Sequence, residues 1–407
     1  MRRVRGPFFV MLAIATAITT TKGTVEIVFP PYLASYGQSL SVIGILTSLL
    51  AVAQLSSRVP VGLAYKAERA GRQFAGALVI FGLTCAGYAF AKGDPIAVTA
   101  LTLVHGFAFG SVGTLGLALV IDLTEGRSAG VSMAWYTAAI SLGYAFGSII
   151  GGWLGDAIGL GPAMGAIAVL PVIAAGAVLA VPTVRGAPIE PDRGTGWRGL
   201  IHAGSKLDGR VWLAVVTVVF INLIWDSLDT FFVIFAPTVG ISLATVGLLR
   251  ALKSSAGLAI RLGGALLLRF ADYRRVTLIA VLAVTAMMVV LPLSNAIVAL
   301  VPIFIVLGFG RGIIRATSAA TIAELRAEGR DVGLASGVYN AGLDVGSIVG
   351  PTLGGVIASA VGIPQMFQLI ALVGLGIWLA VALSTARTRA AAGLGRSNVI
   401  PLTKPTE

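Results

Sequence analysis

Long apolar runs alternate with short polar breaks along the whole chain. A helix rising about 1.5 Å per residue needs about 20 mostly apolar residues to cross about 30 Å of hydrocarbon. Twelve runs meet that length: 8–33, 41–63, 74–90, 96–121, 129–154, 162–181, 211–235, 242–268, 276–293, 297–322, 332–361 and 366–383. The pattern predicts an all-α membrane protein with 12 transmembrane helices. One break is long: 182–210 is polar, basic and contains Pro and Gly. It divides the chain into an N-terminal six-helix bundle over 1–183, a cytoplasmic linker over 184–210, a C-terminal six-helix bundle over 211–386 and a cytoplasmic tail over 387–407.

The two sets of six spans repeat each other. Residues 329–362, moved back by 203, lie over 126–159, and eleven of the 34 positions are identical. The identities include Tyr136/Tyr339 and the glycine pairs 143/346, 147/350, 151/354 and 152/355. The same shift lays Gly37, Ser39, Leu40, Gly44 and Leu46 over Gly240, Ser242, Leu243, Gly247 and Leu249, Arg58 over Arg261, and Glu26 over Asp229. Gly143, Gly147 and Gly151, like Gly346, Gly350 and Gly354, recur every fourth residue on one helix face, with Gly152 and Gly355 beside them; small residues so spaced let membrane helices approach closely. The repeat predicts two pseudo-symmetric bundles related by an axis along the membrane normal.

Composition narrows the class. With 57% hydrophobic and 11% charged residues, a soluble domain is excluded. A single cysteine, Cys85, leaves no internal disulfide. The net charge of +12 is spread over the loops: 21 of 29 Lys and Arg residues fall on the side of the N-terminus, and only Lys92 on the other. By the positive-inside rule both termini are cytoplasmic, in a multi-pass protein of the cytoplasmic (inner) membrane. The lipid bilayer is therefore the expected partner and nucleic acid is not; a small-molecule partner and a monomer are further expectations. The basic start is followed by an apolar run too long for a signal peptide, so no cleavage is expected.

Eleven charged residues stand inside spans: Lys22, Arg58, Arg250, Lys253, Arg261, Arg311, Arg315, Glu26, Asp226, Asp229 and Asp344. Each costs about 2.5 kcal/mol or more on an isolated helix in lipid, so they require a polar interior shared between helices. Asp226 and Asp229, three apart, share a helix face, as do Lys22 with Glu26 and Arg250 with Lys253. All six lie at a similar depth. They either neutralise one another as structural ion pairs or hold a substrate and a proton. Arg311, with Arg315 one turn on, lacks a basic counterpart in the first half, so the halves diverge there; these two either read a substrate or cap the bundle near the inner surface. The candidate substrate- or proton-binding set is Glu26, Asp226, Asp229, Arg311, Lys22, Arg250 and Lys253. Arg58 and Arg261 lie toward the inner span ends, where Asp122 and Glu324 close spans four and ten. With the loop residues Arg69 and Arg72 they form a candidate inner gate: Arg58 and Arg69 or Arg72 on Asp122, Arg261 on Glu324, paired when the cavity faces outward. Trp225 is placed beside the cavity or in packing, Trp378 toward lipid, and His105 in packing. No P-loop, metal-ligand cluster or nucleophile elbow is present in the sequence, so no cofactor, no metal and no enzymatic activity are expected.

These features together resemble the major facilitator superfamily over essentially the whole chain. GSIVGPTLGG at 346–355 matches the family's Gly-Pro-x-x-Gly-Gly signature, with Pro351 in place; the copy at 143–152, GYAFGSIIGG, has Ser148 where the proline is expected. Glu68-Arg69-Ala70-Gly71-Arg72-Gln73 resembles the family's Asp-Arg-x-Gly-Arg-Arg loop. Thr102 stands where the family's span-four motif has an arginine. The resemblance implies spans 1, 4, 7 and 10 around a central cavity, spans 2, 5, 8 and 11 between the halves, and alternating access by rocking of the halves. It implies a secondary transporter, coupled to an ion gradient, most plausibly of protons (H+), and seven buried bases against four acids favour an anionic or zwitterionic substrate. The rival within transport is a drug or amphiphile efflux antiporter, which the glycine signatures favour and Ser148 and Thr102 weaken. The rival of another class is a non-coupled receptor or lipid-moving protein.

Overall fold

The computed structural model describes residues 2–66, 68–124, 129–180, 209–268, 272–327 and 332–391, with side chains described outside 2–5, 129–130, 261–262, 264–268, 322–327, 332–336 and 388–391. Twelve helices in this range are long and apolar enough to cross a membrane. They are α1 (Arg2–Ser35), α2 (Leu40–Leu63), α3 (Ala70–Ala91), α4 (Pro95–Leu123), α5 (Ala129–Ile158) and α6 (Leu160–Leu179, broken at Ala168) in the first half. In the second half come α7 (Gly209–Thr238), α8 (Leu243–Leu268), α9 (Tyr273–Val290), α10 (Ile297–Ala327), α11 (Val332–Val361) and α12 (Ile363–Ala391). The interhelical segment 182–210 and the tail after 391 lie outside the described residues, apart from the start of α7.

Local chemistry sets the boundaries. Ser39 caps α2 by accepting from the Val42 amide at 3.3 Å, and Asp94 caps α4 by accepting from the Ala97 amide at 2.7 Å with Pro95 behind it. A short side-chain acceptor satisfies one of the amides that a helix start leaves without a partner. The turns α1–α2 and α7–α8 both use a glycine with positive φ, Gly37 at 75° and Gly240 at 82°. The turns α5–α6 and α11–α12 do the same with Gly159 at 88° and Gly362 at 92°. Each pair coincides under the 203-residue repeat, because the left-handed region that both turns need is open to glycine at little cost.

The packing repeats as well. In the first half α1 lies on α5, α2 on α4, and α3 on α4 and α6; in the second, α7 lies on α11, α8 on α10, and α9 on α10 and α12. The halves meet along α2–α11, α5–α8 and α1–α7. The glycine face of α5 has two uses. Gly143, Gly147 and Gly151 press on Thr19, Thr20 and Thr24 of α1, while Gly152 presses on the Leu243 backbone of α8, in the other half. On α11, Gly346 and Gly350 press on the α7 backbone at Val219 and Leu223 and Gly354 on Phe231, while Gly355 presses on the Leu40 backbone of α2. Gly44 also meets the Pro351 carbonyl and Gly247 the Ser148 carbonyl, again as repeat mates.

These contacts between halves gather on the side opposite the N-terminus. Ser41 donates to Ser359 at 2.8 Å there, and Asp156 accepts from the Leu243 and Ala244 amides at 3.2 and 2.7 Å. One step deeper, where Pro351 interrupts the backbone ladder of α11, Ser48 of α2 donates to the Ile348 carbonyl at 2.5 Å. A hydroxyl thus serves the backbone beside a membrane-helix proline. The halves are closed together on this far side.

A Gly147→Val protein should be destabilised by about 1–3 kcal/mol, because the added carbons meet backbone atoms of α1 that have no room to move. Gly76→Val, where nothing stands within 4 Å, should stay within about 0.5 kcal/mol. Thermal unfolding of the two proteins in one detergent checks the contrast; equal losses would reject the tight-seam account.

Candidate functional site

Beneath the far-side seam lies a cavity of about 510 Å³ between the halves. It is walled by α1, α2 and α5 from one half and α7, α8, α10 and α11 from the other. Span 4 meets this wall through the Phe109 ring, which lies against Lys22. Gly106 and Gly110 press α4 against Leu50, Gln54 and Ser57 of α2.

The structure brings five charged residues into one ion-pair network. Arg250 of α8 holds carboxylates from both halves: its Nη2 lies 3.2 Å from Glu26 Oε2 on α1, and its Nε lies 3.2 Å from Asp229 Oδ1 on α7. Lys22 supports Glu26 from one turn away at 3.4 Å, and Lys253 donates to the same Asp229 oxygen. The three bases are almost wholly buried, with side-chain exposures of 6% for Lys22, 5% for Arg250 and 1% for Lys253. Trp225 bears on this network through its ring face: Lys253 Nζ lies 3.7 Å and Arg311 Cζ 3.9 Å from its centroid. An aromatic face stabilises a desolvated cation by about 2 kcal/mol. Lys22 similarly lies 5.3 Å from the Phe109 ring centroid. Asp226 lines the same cavity within electrostatic reach of Arg311 and Ser347, and its Oδ2 is buried with no hydrogen-bond partner among the described residues.

The candidate gate residues take other partners. Arg58 donates to Asp344 on α11 at 3.0 Å, across the halves. Asp122 accepts from the Tyr65 hydroxyl, just past the end of α2. Burial, reinforced by that carboxylate, raises the Tyr65 pKa and keeps it a donor. Arg69 and Arg72 are exposed. The structure therefore does not pair Arg58, Arg69 or Arg72 with Asp122 while the far side is closed. The side chains of Arg261 and Glu324 lie outside the described residues.

Sequence reasoning missed several contributors. Tyr144, Gln54 and Asn340 all line the cavity, and Trp378, expected toward lipid, is 5% exposed and donates from its indole to Thr217 at 2.8 Å. His105 is fully buried in packing against Phe81 and Tyr88, its Nδ1 3.0 Å from the Thr84 hydroxyl. Thr102, at the place of the expected arginine, is buried and accepts from the Tyr88 hydroxyl at 3.2 Å.

Two repeated bundles of six membrane helices around a charged cavity are the architecture of one class of membrane transporters. The chain belongs to the Major Facilitator Superfamily, whose model matches residues 9–326 and 273–399. Its fold is similar to that of a bacterial homolog of the human lysosomal transporter Spinster, in an inward-facing and unoccupied conformation (TM-score 0.75, 14% identity, covering 95% of this chain and 98% of that one). It is similar to the same extent to the nucleoside transporter NupG (TM-score 0.75, 13% identity, covering 93% and 98%). No curated protein sequence matches the chain significantly.

Asp229 has two cations, so losing one leaves it paired. Arg250→Met and Lys253→Met should each be tolerated better than the double variant, whose extra loss should reach about 3–5 kcal/mol because Asp229 is then a buried charge without a partner. A double-mutant cycle in thermal unfolding measures this; additive losses would show that the two cations do not share the carboxylate.

Proposed function

We propose that the protein is a secondary active transporter that moves a small anionic or zwitterionic molecule by alternating access, coupled to protons through Glu26, Asp229 and Asp226. The observation that carries the reading is the Arg250 guanidinium, which ties Glu26 of one half to Asp229 of the other at the wall of the cavity. A proton on Glu26 removes the charge that binds Arg250 across the halves, so proton binding and rocking of the halves are linked by one contact. A substrate anion that attracts Arg250 competes for the same guanidinium. Binding to one arrangement of the halves in preference to the other is what shifts such an equilibrium.

With both termini in the cytoplasm, the cavity below the far-side seam faces the cytoplasm. Closing that side brings Arg58 off Asp344, with Arg69 and Arg72, toward Asp122, and Arg261 toward Glu324, as the inner gate. The glycine signature of α11 favours a second reading within transport, efflux of amphiphilic compounds. A receptor or a lipid-moving protein on the same fold is the reading of another class.

The test is transport into proteoliposomes across a pH gradient. Asp229→Asn should abolish gradient-driven accumulation while substrate counterflow persists. If Glu26→Gln, Asp226→Asn and Asp229→Asn all keep full pH-gradient-dependent uptake, coupling through these acids is wrong. Binding without accumulation would identify a receptor, and movement of labelled lipid a lipid transporter.

A further inference from the structure

The cavity does not balance its own charge. Lys22, Arg58, Arg250, Arg311 and Arg315 line it against Glu26, Asp226, Asp229 and Asp344, and Lys253 stands directly behind Asp229. The six cations thus exceed the four carboxylates by two among the described residues. Most are committed. Glu26 takes Lys22 and Arg250, Asp229 takes Arg250 and Lys253, Asp344 takes Arg58, and Arg311 lies against Trp225 within reach of Asp226.

Arg315 is the exception. One turn from Arg311 on α10, it lines the cavity and makes no ion pair or hydrogen bond with a described residue; Asp226 and Tyr339 reach it only through space. Three neutral groups on the cavity wall are likewise uncommitted among the described residues: the Asn340 side-chain amide on α11, the Gln54 amide on α2 and the Tyr144 hydroxyl on α5. A guanidinium is a planar fork matched to two oxygens of a carboxylate or phosphate. A half-buried fork with no acceptor among the described residues, in a cavity carrying excess positive charge, is complementary to an oxyanion.

Resting on the transporter reading above, we propose that Arg315 is the anchor of the substrate's anionic group, and that the substrate is a small polar organic anion bearing a carboxylate or a phosphate. Asn340 supplies hydrogen bonds from the same half. Gln54 and Tyr144 supply them from the other, so the bound molecule touches both halves. The cavity volume suits a ligand of this kind: binding clefts run from about 300 to 1,000 Å³. A cationic amphiphile is disfavoured, because it would meet Arg315 and the excess positive charge.

The experiment is titration of the purified full-length protein in detergent with succinate and glycerol 3-phosphate, against choline and glucose, read by calorimetry and thermal shift. One of the two anions should bind and raise the unfolding temperature, and the tighter of them tells carboxylate from phosphate. Arg315→Gln should weaken that anion about 30-fold or more, and Arg315→Lys, which keeps the charge and loses the fork, should weaken it less. Unchanged unfolding of the unliganded variants confirms that they are folded; if Arg315→Gln is not, the Lys variant decides alone, and an unaltered affinity there overturns the proposal. The proposal also fails if choline or glucose binds in place of the anions, if neither anion binds at millimolar concentration, or if Arg315→Gln binds as tightly as the parent. No gradient enters this measurement. Anion binding that depends on Arg315, with no proton-driven accumulation, would sink the coupled-transport reading and leave the anchor standing.

Discussion

The interaction on which the structure depends is the Arg250 guanidinium held between Glu26 and Asp229. Charges at this depth are tolerated only where other charges neutralise them, and here the neutralising groups come from both halves. Each acid also has a local partner, Lys22 for Glu26 on α1 and Lys253 for Asp229. That redundancy changes the energetics of separation. When the halves part at this depth, Glu26 keeps Lys22 and Asp229 keeps Lys253, so neither carboxylate is left alone in a low-dielectric interior. The step then costs one exchangeable ion pair. A pair without reserves would behave as a permanent clamp.

The glycine seams supply the complementary mechanical property. On the far side the halves touch largely through backbone: Gly152 on Leu243, Gly355 on Leu40, Gly44 on Pro351, Gly247 on Ser148. A contact made without side chains has few rotamers to reorder when it slides, and it brings helices close enough for dispersion forces, the main attraction left between helices in lipid. The pseudo-twofold relation makes both seams equivalent, so a rocking motion that opens one opens the other.

Much of this was legible in the sequence. Hydrocarbon thickness fixes span length, so the spans could be read from apolar runs. The cost of membrane-buried charge made Glu26, Asp229, Arg250 and Lys253 candidates before any contact was known. What remained hidden is azimuth. A helical period says which residues share a face, and not which neighbour that face meets. For that reason the Asp344 partner of Arg58 and the Tyr65 partner of Asp122 were not readable. Trp378 illustrates a second limit: lipid is as apolar as a protein core, so composition does not separate a lipid-facing tryptophan from one that is buried and hydrogen-bonded to Thr217.

The charged network of the cavity is where the repeat is broken. Under the 203-residue shift Lys22 falls on Trp225, Arg250 on Thr47 and Lys253 on Leu50, while Glu26 falls on Asp229. Had the second half kept a Lys–Glu turn like that of α1, each half would carry one self-paired couple. Replacing the lysine by Trp225 removes the local partner of Asp229 and leaves an aromatic face in its place. Cations from α8 and α10 then fill the vacancy: Lys253 and Arg250 on the carboxylate, Lys253 and Arg311 on the ring. They bring more charge than one aspartate neutralises, and the surplus lies on the cavity wall of the second half. The duplicated scaffold supplies the paired glycine seams, and the divergence between its copies supplies the excess positive charge of the cavity.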